Sequence, residues 1–256
     1  MAASSVGTTE RVVLRPDGTT GRAVELFVAA PRGAGTRPAI LFVHGHQIEQ
    51  RAGGRDMVDN GVLVRIASQA RWVAASVSQP GYGGSDGPPD YCGPTTQRAT
   101  RATLAYLRQR PKVDPRRMVL YGASRGAIAS AMVAAEEPSL RALVLVAGTY
   151  DLGAAYAFTL PGIREVIEKE AGATPQAFAA RSALRIADRI RTATLIMHGR
   201  HDDRLPPAQA EAFAAALERH GTDVSLVICD SGHVIPFGDR WEAIRPFLSR
   251  ILASAP

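Results

Sequence analysis

Cysteine is scarce in this sequence: Cys92 and Cys229 are the only two among 256 residues. That excludes a disulfide-stapled mini-domain and fits reduced, buried thiols. Lysine is equally scarce, with Lys112 and Lys169 alone, so nearly all the basic charge behind the net +6 is arginine. The arginines are scattered and no aromatic–basic module interleaves them, so no nucleic-acid partner is expected. They read as a solvated basic surface, with attraction for anionic substrates or membranes as the other reading. No stretch approaches 18 consecutive apolar residues, so no membrane span is expected. The start, Met1–Glu10, lacks the basic and apolar regions of a signal peptide, and the cytoplasm is the expected location. An export signal trimmed beforehand would leave the same start.

What remains is of ordinary globular make-up, 46% hydrophobic and 21% charged. Disorder, collagen and coiled coil are excluded as descriptions of the whole chain. The length suits one domain, 1–256, with a core of its own.

Short apolar runs alternate with helical stretches. Val12–Leu14 and Val24–Val28 flank Pro16-Asp17-Gly18 and read as a hairpin. Then come Ala39–Val43, Trp72–Val77, Met118–Tyr121, Ala142–Val146, Thr194–Met197 and Val224–Ile228. These six are apolar throughout rather than alternating, as strands covered on both faces are. Helices are expected near Arg55–Gln69, Thr95–Arg108, Arg125–Ala135, Pro207–His220 and Arg240–Leu252. The result is an α/β chain with an eight-stranded, mostly parallel, doubly wound sheet and an antiparallel start. Residues 149–180 exceed what a crossover needs and carry Tyr150, Tyr156, Phe158 and Leu160. They read as a small cap or lid, with a decorated crossover as the plainer alternative.

Gly122-Ala123-Ser124-Arg125-Gly126 matches Gly-x-Ser-x-Gly, and so does Gly83-Gly84-Ser85-Asp86-Gly87. Alone, either match is weak. Context separates them. Ser124 follows an apolar run and precedes a good helix, the strand–turn–helix elbow that lifts a nucleophilic hydroxyl above a sheet. Ser85 precedes Pro88-Pro89, which cannot continue a helix. A serine needs a base and an acid that orients the base. Asp202 and Asp203 follow the run ending at Met197, and His233 follows the run ending at Ile228. Both stand at C-terminal strand ends, where open α/β sheets bind ligands.

Together these parts resemble the α/β-hydrolase superfamily over nearly the whole chain. Gly199-x-x-Asp202-x-x-Leu205-Pro206 resembles its acid loop, which favours Asp202 over Asp203, and Ser231-Gly232-His233 resembles its histidine loop. With Ile186-Ala187-Asp188-Arg189-Ile190, the resemblance is closest to the prolyl oligopeptidase and dienelactone hydrolase branches, which include peptidases, esterases and lactonases. It implies Ser124 as nucleophile, His233 as base and Asp202 as orienter; Asp230, beside the histidine loop, is a lesser candidate for the orienter. It also implies an oxyanion hole built from the N–H of Arg125 and that of His46, after His44-Gly45, with Gln47 as the alternative. Pro80–Ser85 resembles the superfamily's loop after the fourth strand. Tyr82, Tyr150 and Tyr156 are the candidate substrate-binding residues.

No cofactor is expected. His44-x-His46 and His198-x-x-His201 lack a supporting Cys, His and carboxylate cluster, so no metal is expected either. Cys92 shows no neighbour in sequence that would lower its pKa. The expected activity is cleavage of a small-molecule carboxylic ester or lactone through an acyl-enzyme. The alternative is a peptidase of prolyl oligopeptidase type, set second because 256 residues leave no room for that family's propeller domain. A non-catalytic scaffold on the same fold is the remaining competitor. A homodimer stays open.

Overall fold

The computed structural model describes residues 8–16, 21–47 and 50–253. Eight strands form one sheet in the order β1-β2-β4-β3-β5-β6-β7-β8. They are β1 (Thr9–Leu14), β2 (Val24–Ala29), β3 (Arg37–Val43), β4 (Val73–Val77), β5 (Val113–Ala123), β6 (Ala142–Val146), β7 (Ala193–Gly199) and β8 (Val224–Cys229). β2 pairs antiparallel with both β1 and β4, and every other pairing is parallel. The tip of the expected hairpin, Asp17-Gly18, lies outside the described residues.

Alternate residues of each strand feed two apolar layers, one on each face. Leu26, Val28, Leu41, Val43, Leu143 and Leu145 share a layer with helices α3 (Pro94–Arg108), α4 (Arg125–Ala134) and α8 (Ala208–Arg219). Phe27, Ile40, Phe42, Val144 and Val146 face Leu63, Ile66 and helix α9 (Phe237–Ala253). Strands β2 to β7 are therefore buried on both faces, while the edge strands β1 and β8 are half exposed. None of the helices among the described residues is long and apolar enough to cross a membrane.

Two boundaries depart from expectation. The helix expected over Arg55–Gln69 is broken into α1 (Asp56–Asp59), α2 (Val62–Arg65) and a wider π-type turn over Ile66–Ala70. The cause is Asn60-Gly61: Gly61 takes φ +67°, a left-handed conformation that stops a right-handed helix. Strand β5 starts five residues before the apolar run, because its register against β3 jumps from Arg37–Val113 to Ala39–Met118. The extra residues bulge around Asp114, which accepts from the backbone of Arg116 and the side chain of Arg117.

Between β6 and β7 lie three short α-helices, α5 (Leu152–Phe158), α6 (Pro161–Glu170) and α7 (Pro175–Ala179), and a 3-10 stretch over Ala183–Arg189. Asp151 and Thr174 cap α5 and α7 through their side chains, and proline opens α6 and α7. The insertion is tied down at both ends. Gln209 accepts the N–H groups of Tyr150 and Asp151, and Arg181 donates to the carbonyls of Asp90 and Tyr91.

Candidate active site

Ser124 sits in the turn from β5 to α4 at φ 51° and ψ −120°, a region that L-residues rarely occupy. The turn is tight enough to exclude side chains beside it. A Cβ on Gly122 would run into the Gly126 carbonyl, and a Cβ on Gly126 into that of Val43. Both glycines of the motif are thus steric requirements. Ser85, the other motif serine, is buried, accepting the N–H of Glu25 and donating to the Ser78 carbonyl, so its role is to tie its loop to β2.

The ends of β7 and β8 bring the remaining groups to Ser124. Its Oγ lies 3.0 Å from His233 Nε2, and His233 Nδ1 lies 2.8 Å from Asp202 Oδ2. The other oxygen of Asp202 accepts the N–H groups of Arg204 and Leu205, both at 2.9 Å. Burial pushes the Asp202 pKa up. The donors His198, His233, Leu205 and Arg204 outweigh burial and hold it well below the usual carboxylate range. Asp202 therefore carries a fixed negative charge beside His233. Asp203 is exposed, and Asp230 pairs with His201 at 2.9 Å in solvent, so neither orients His233.

Sequence reasoning missed the second imidazole on Asp202. His198, fully buried at the end of β7, places Nε2 3.1 Å from Asp202 Oδ2 and 2.9 Å from the Leu205 carbonyl. The sole signal is a histidine closing an apolar strand just before the acid loop.

Arg125, the residue after the serine, packs its side chain against His46. Arg125 Nη1 is 2.9 Å from His46 Nδ1 and 3.3 Å from the Tyr82 hydroxyl, and its guanidinium stacks 4.3 Å above the Tyr91 ring. Its other nitrogen meets Glu170, at the end of α6, at 2.5 Å. Burial pulls the Arg125 pKa down, but its neighbours, Cys92, Tyr82 and Glu170 among them, raise it further, so the cation persists. The N–H of Arg125 opens α4, where no helical carbonyl can reach it. The N–H of His46 has no main-chain acceptor among the described residues. Gln47 uses its side chain to hold both the N–H and the carbonyl of Gly53.

The three tyrosines do not form a pocket together. Tyr82 is 2% exposed and lies behind His46, bonded to it at 3.1 Å, so it supports the loop instead of meeting a ligand. Tyr150 is a core residue: it lies in the turn after β6, is fully buried, and stacks on Phe213 with ring centroids 4.4 Å apart. Tyr156 stays within the insertion, its hydroxyl donating to Glu168 and its ring against Phe178. His44 is structural as well. Its Nδ1 donates to the Gly45 carbonyl, its Nε2 accepts the N–H of Gln79, and burial drops its pKa to about 4.

A doubly wound sheet with a serine elbow and a Ser–His–Asp array at the C-terminal strand ends defines a serine hydrolase of the α/β-hydrolase fold. The family model of the prolyl oligopeptidase family, Peptidase S9, matches residues 96–246, more than half the chain, and the chain belongs to that family. An uncharacterized peptidase of Bacillus subtilis, YuxL, is 28% identical over 147 residues, 54% of this chain and 22% of that protein. A puromycin-hydrolyzing peptidase of Mycobacterium tuberculosis superposes with a TM-score of 0.83 at 22% identity, over 97% of this chain and 40% of that one. The acylaminoacyl peptidase of Pyrococcus horikoshii gives 0.79 at 16% identity, over 99% of this chain and 43% of the other. At these identities the structural likeness is one of fold, and the chain spans less than half the length of each relative.

Proposed function

We propose that this chain is the catalytic unit of a serine peptidase that cleaves amide bonds of short peptides or amino-acid amides. The observation that carries the reading is the relay from Ser124 Oγ to His233 Nε2 at 3.0 Å and from His233 Nδ1 to Asp202 at 2.8 Å, in a member of a peptidase family. Ser124 Oγ attacks the scissile carbonyl carbon while His233 Nε2 takes its proton. Asp202 keeps the other proton on Nδ1 and stabilises the imidazolium that forms. The N–H groups of Arg125 and His46 hold the negative oxygen of the tetrahedral intermediate. His233 then protonates the departing amine, leaving the acyl group on Ser124. Water, deprotonated by His233, releases the acid by the same steps in reverse order. Residues 1–256 act as one unit, with the insertion 149–180 as its lid, a role supported by the reach of Glu170 to Arg125.

Family membership moves the expected scissile bond from ester to amide, although the acyl-enzyme chemistry serves both. The test is hydrolysis of aminoacyl and peptidyl p-nitroanilides beside p-nitrophenyl esters, by the wild type and Ser124→Ala. Anilide turnover lost in the variant is the expected result. Ester turnover without anilide turnover moves the reading to a carboxylesterase. Equal rates for both proteins overturn Ser124 as nucleophile.

A further inference from the structure

Among the described residues, one ring nitrogen of His46 is engaged and the other has no partner. Its Nδ1 lies 2.9 Å from Arg125 Nη1 and 3.1 Å from the Tyr82 hydroxyl. A guanidinium has N–H donors and no lone pair to offer. Nδ1 is therefore the acceptor, and the neutral ring carries its proton on Nε2. Protonating Nδ1 as well would set two N–H groups against each other. Burial, followed by the charge of Arg125, accordingly lowers the His46 pKa.

The arrangement cannot relax by moving Arg125, which is gripped by Glu170 at 2.5 Å and lies over Tyr91 at 4.3 Å. Nε2 has no hydrogen-bond partner among the described residues, and the exposed residue reaches solvent. The backbone that carries it passes close to Ser124. A Cβ on the preceding residue, Gly45, would stand 3.2 Å from the Ser124 Cβ.

We propose that the His46 side chain binds substrate, as a neutral imidazole fixed in its Nε2–H form by Arg125, donating to a carbonyl oxygen that flanks the scissile bond. The inference rests on Ser124 being the nucleophile. It assigns to this loop a preference for substrates with an acceptor oxygen there over substrates with an ammonium group, which an N–H donor beside a guanidinium disfavours. It is separate from the backbone role of His46, because a side-chain substitution leaves the N–H in place.

Two measurements on the full chain test it. Long-range 1H–15N correlation of [15N]histidine-labelled protein at neutral pH, assigned by difference with His46→Gln, reports the tautomer without any substrate. The expected signature is an unprotonated Nδ1 and a protonated Nε2. A proton on Nδ1 overturns the proposal whether or not the protein turns over any substrate.

The second compares an N-acetyl-aminoacyl p-nitroanilide with its deaminated analogue, which keeps the scissile bond and lacks the flanking amide carbonyl. His46→Ala should raise KM for the acetylated substrate about 2–10-fold more than for the analogue, the worth of one neutral hydrogen bond. His46→Gln, able to accept from Arg125 and donate beyond it, should restore most of the loss. Equal effects on both substrates, or a kcat collapse shared by the Ala and Gln variants, overturn the proposal in favour of a purely structural ring. Absence of Ser124-dependent turnover overturns the substrate role together with the peptidase reading, and the spectrum then still decides the tautomer.

Discussion

Arg125 and Glu170 form an ion pair at 2.5 Å, with side chains only 7% and 8% exposed, that joins the residue after the serine to the last residue of an insertion helix. The two charges depend on each other, because a buried charge without a partner is far costlier than a buried pair.

Glu170→Leu should therefore destabilise the fold by about 3–5 kcal/mol, as should Arg125→Met. The double variant Arg125→Met/Glu170→Leu, with no buried charge left, should recover much of the loss. Urea unfolding of the four proteins gives the coupling. Single losses below about 1 kcal/mol that simply add in the double would show that the pair holds nothing together.

Asp202→Asn should lower kcat by about 10,000-fold with little change in KM. The amide cannot hold His233 with its proton on Nδ1, while the binding surfaces are untouched. Steady-state kinetics on the best anilide checks this. A loss carried by KM instead would assign Asp202 to the shape of the substrate pocket.

Most of this arrangement is legible in the sequence because its parts are local. Strands β3 to β7 read as apolar runs since both faces are covered, half-exposed β8 keeps such a run at the edge, and Ser124, Asp202 and His233 stand at the ends of these runs. What escapes reading depends on distant partners. Glu170 has nothing around it in sequence to mark it, because its partner lies 45 residues away. Tyr150 sits in the stretch that reads as a lid, but the chain leaving β6 turns it inward onto Phe213, which no periodicity announces. The helix expected over Arg55–Gln69 fails at Asn60-Gly61, where a local breaker outweighs an amphipathic pattern.

His198 gives a third prediction. Its Nε2–H reaches Asp202 Oδ2, the same oxygen that faces His233. Removing this donor with His198→Leu should cut kcat by about 10–100-fold, the worth of a hydrogen bond to a charged group. It should also alter acid stability. A carboxyl whose folded pKa is depressed stabilises the fold above the ordinary carboxylate range, and that stabilisation fades as pH falls through the folded value. Without His198 the depression of the Asp202 pKa is smaller. The variant should then show less stabilisation between neutral and acid pH than the wild type. Unchanged kcat together with an unchanged slope of stability against pH would limit His198 to packing.

The buried histidine after β3, His44, contributes in the same direction over a higher pH interval. His44 is 3% exposed and its pKa falls from 6.5 to about 4, because burial disfavours the imidazolium. Above pH 6.5 neither the folded nor the unfolded chain protonates this ring, and it adds no pH dependence. Below that value the unfolded chain takes up a proton that the folded chain refuses, so stability falls until about pH 4, where the folded ring titrates too. The loss from this one group amounts to roughly 3 kcal/mol over that interval. His44→Asn, which keeps a polar side chain and cannot titrate, should start less stable at neutral pH and lose about that much less on acidification. Urea unfolding of both proteins across the interval isolates the difference. Parallel curves would mean that His44 is already protonated when folded, with the N–H of Gln79 no longer donating to its ring.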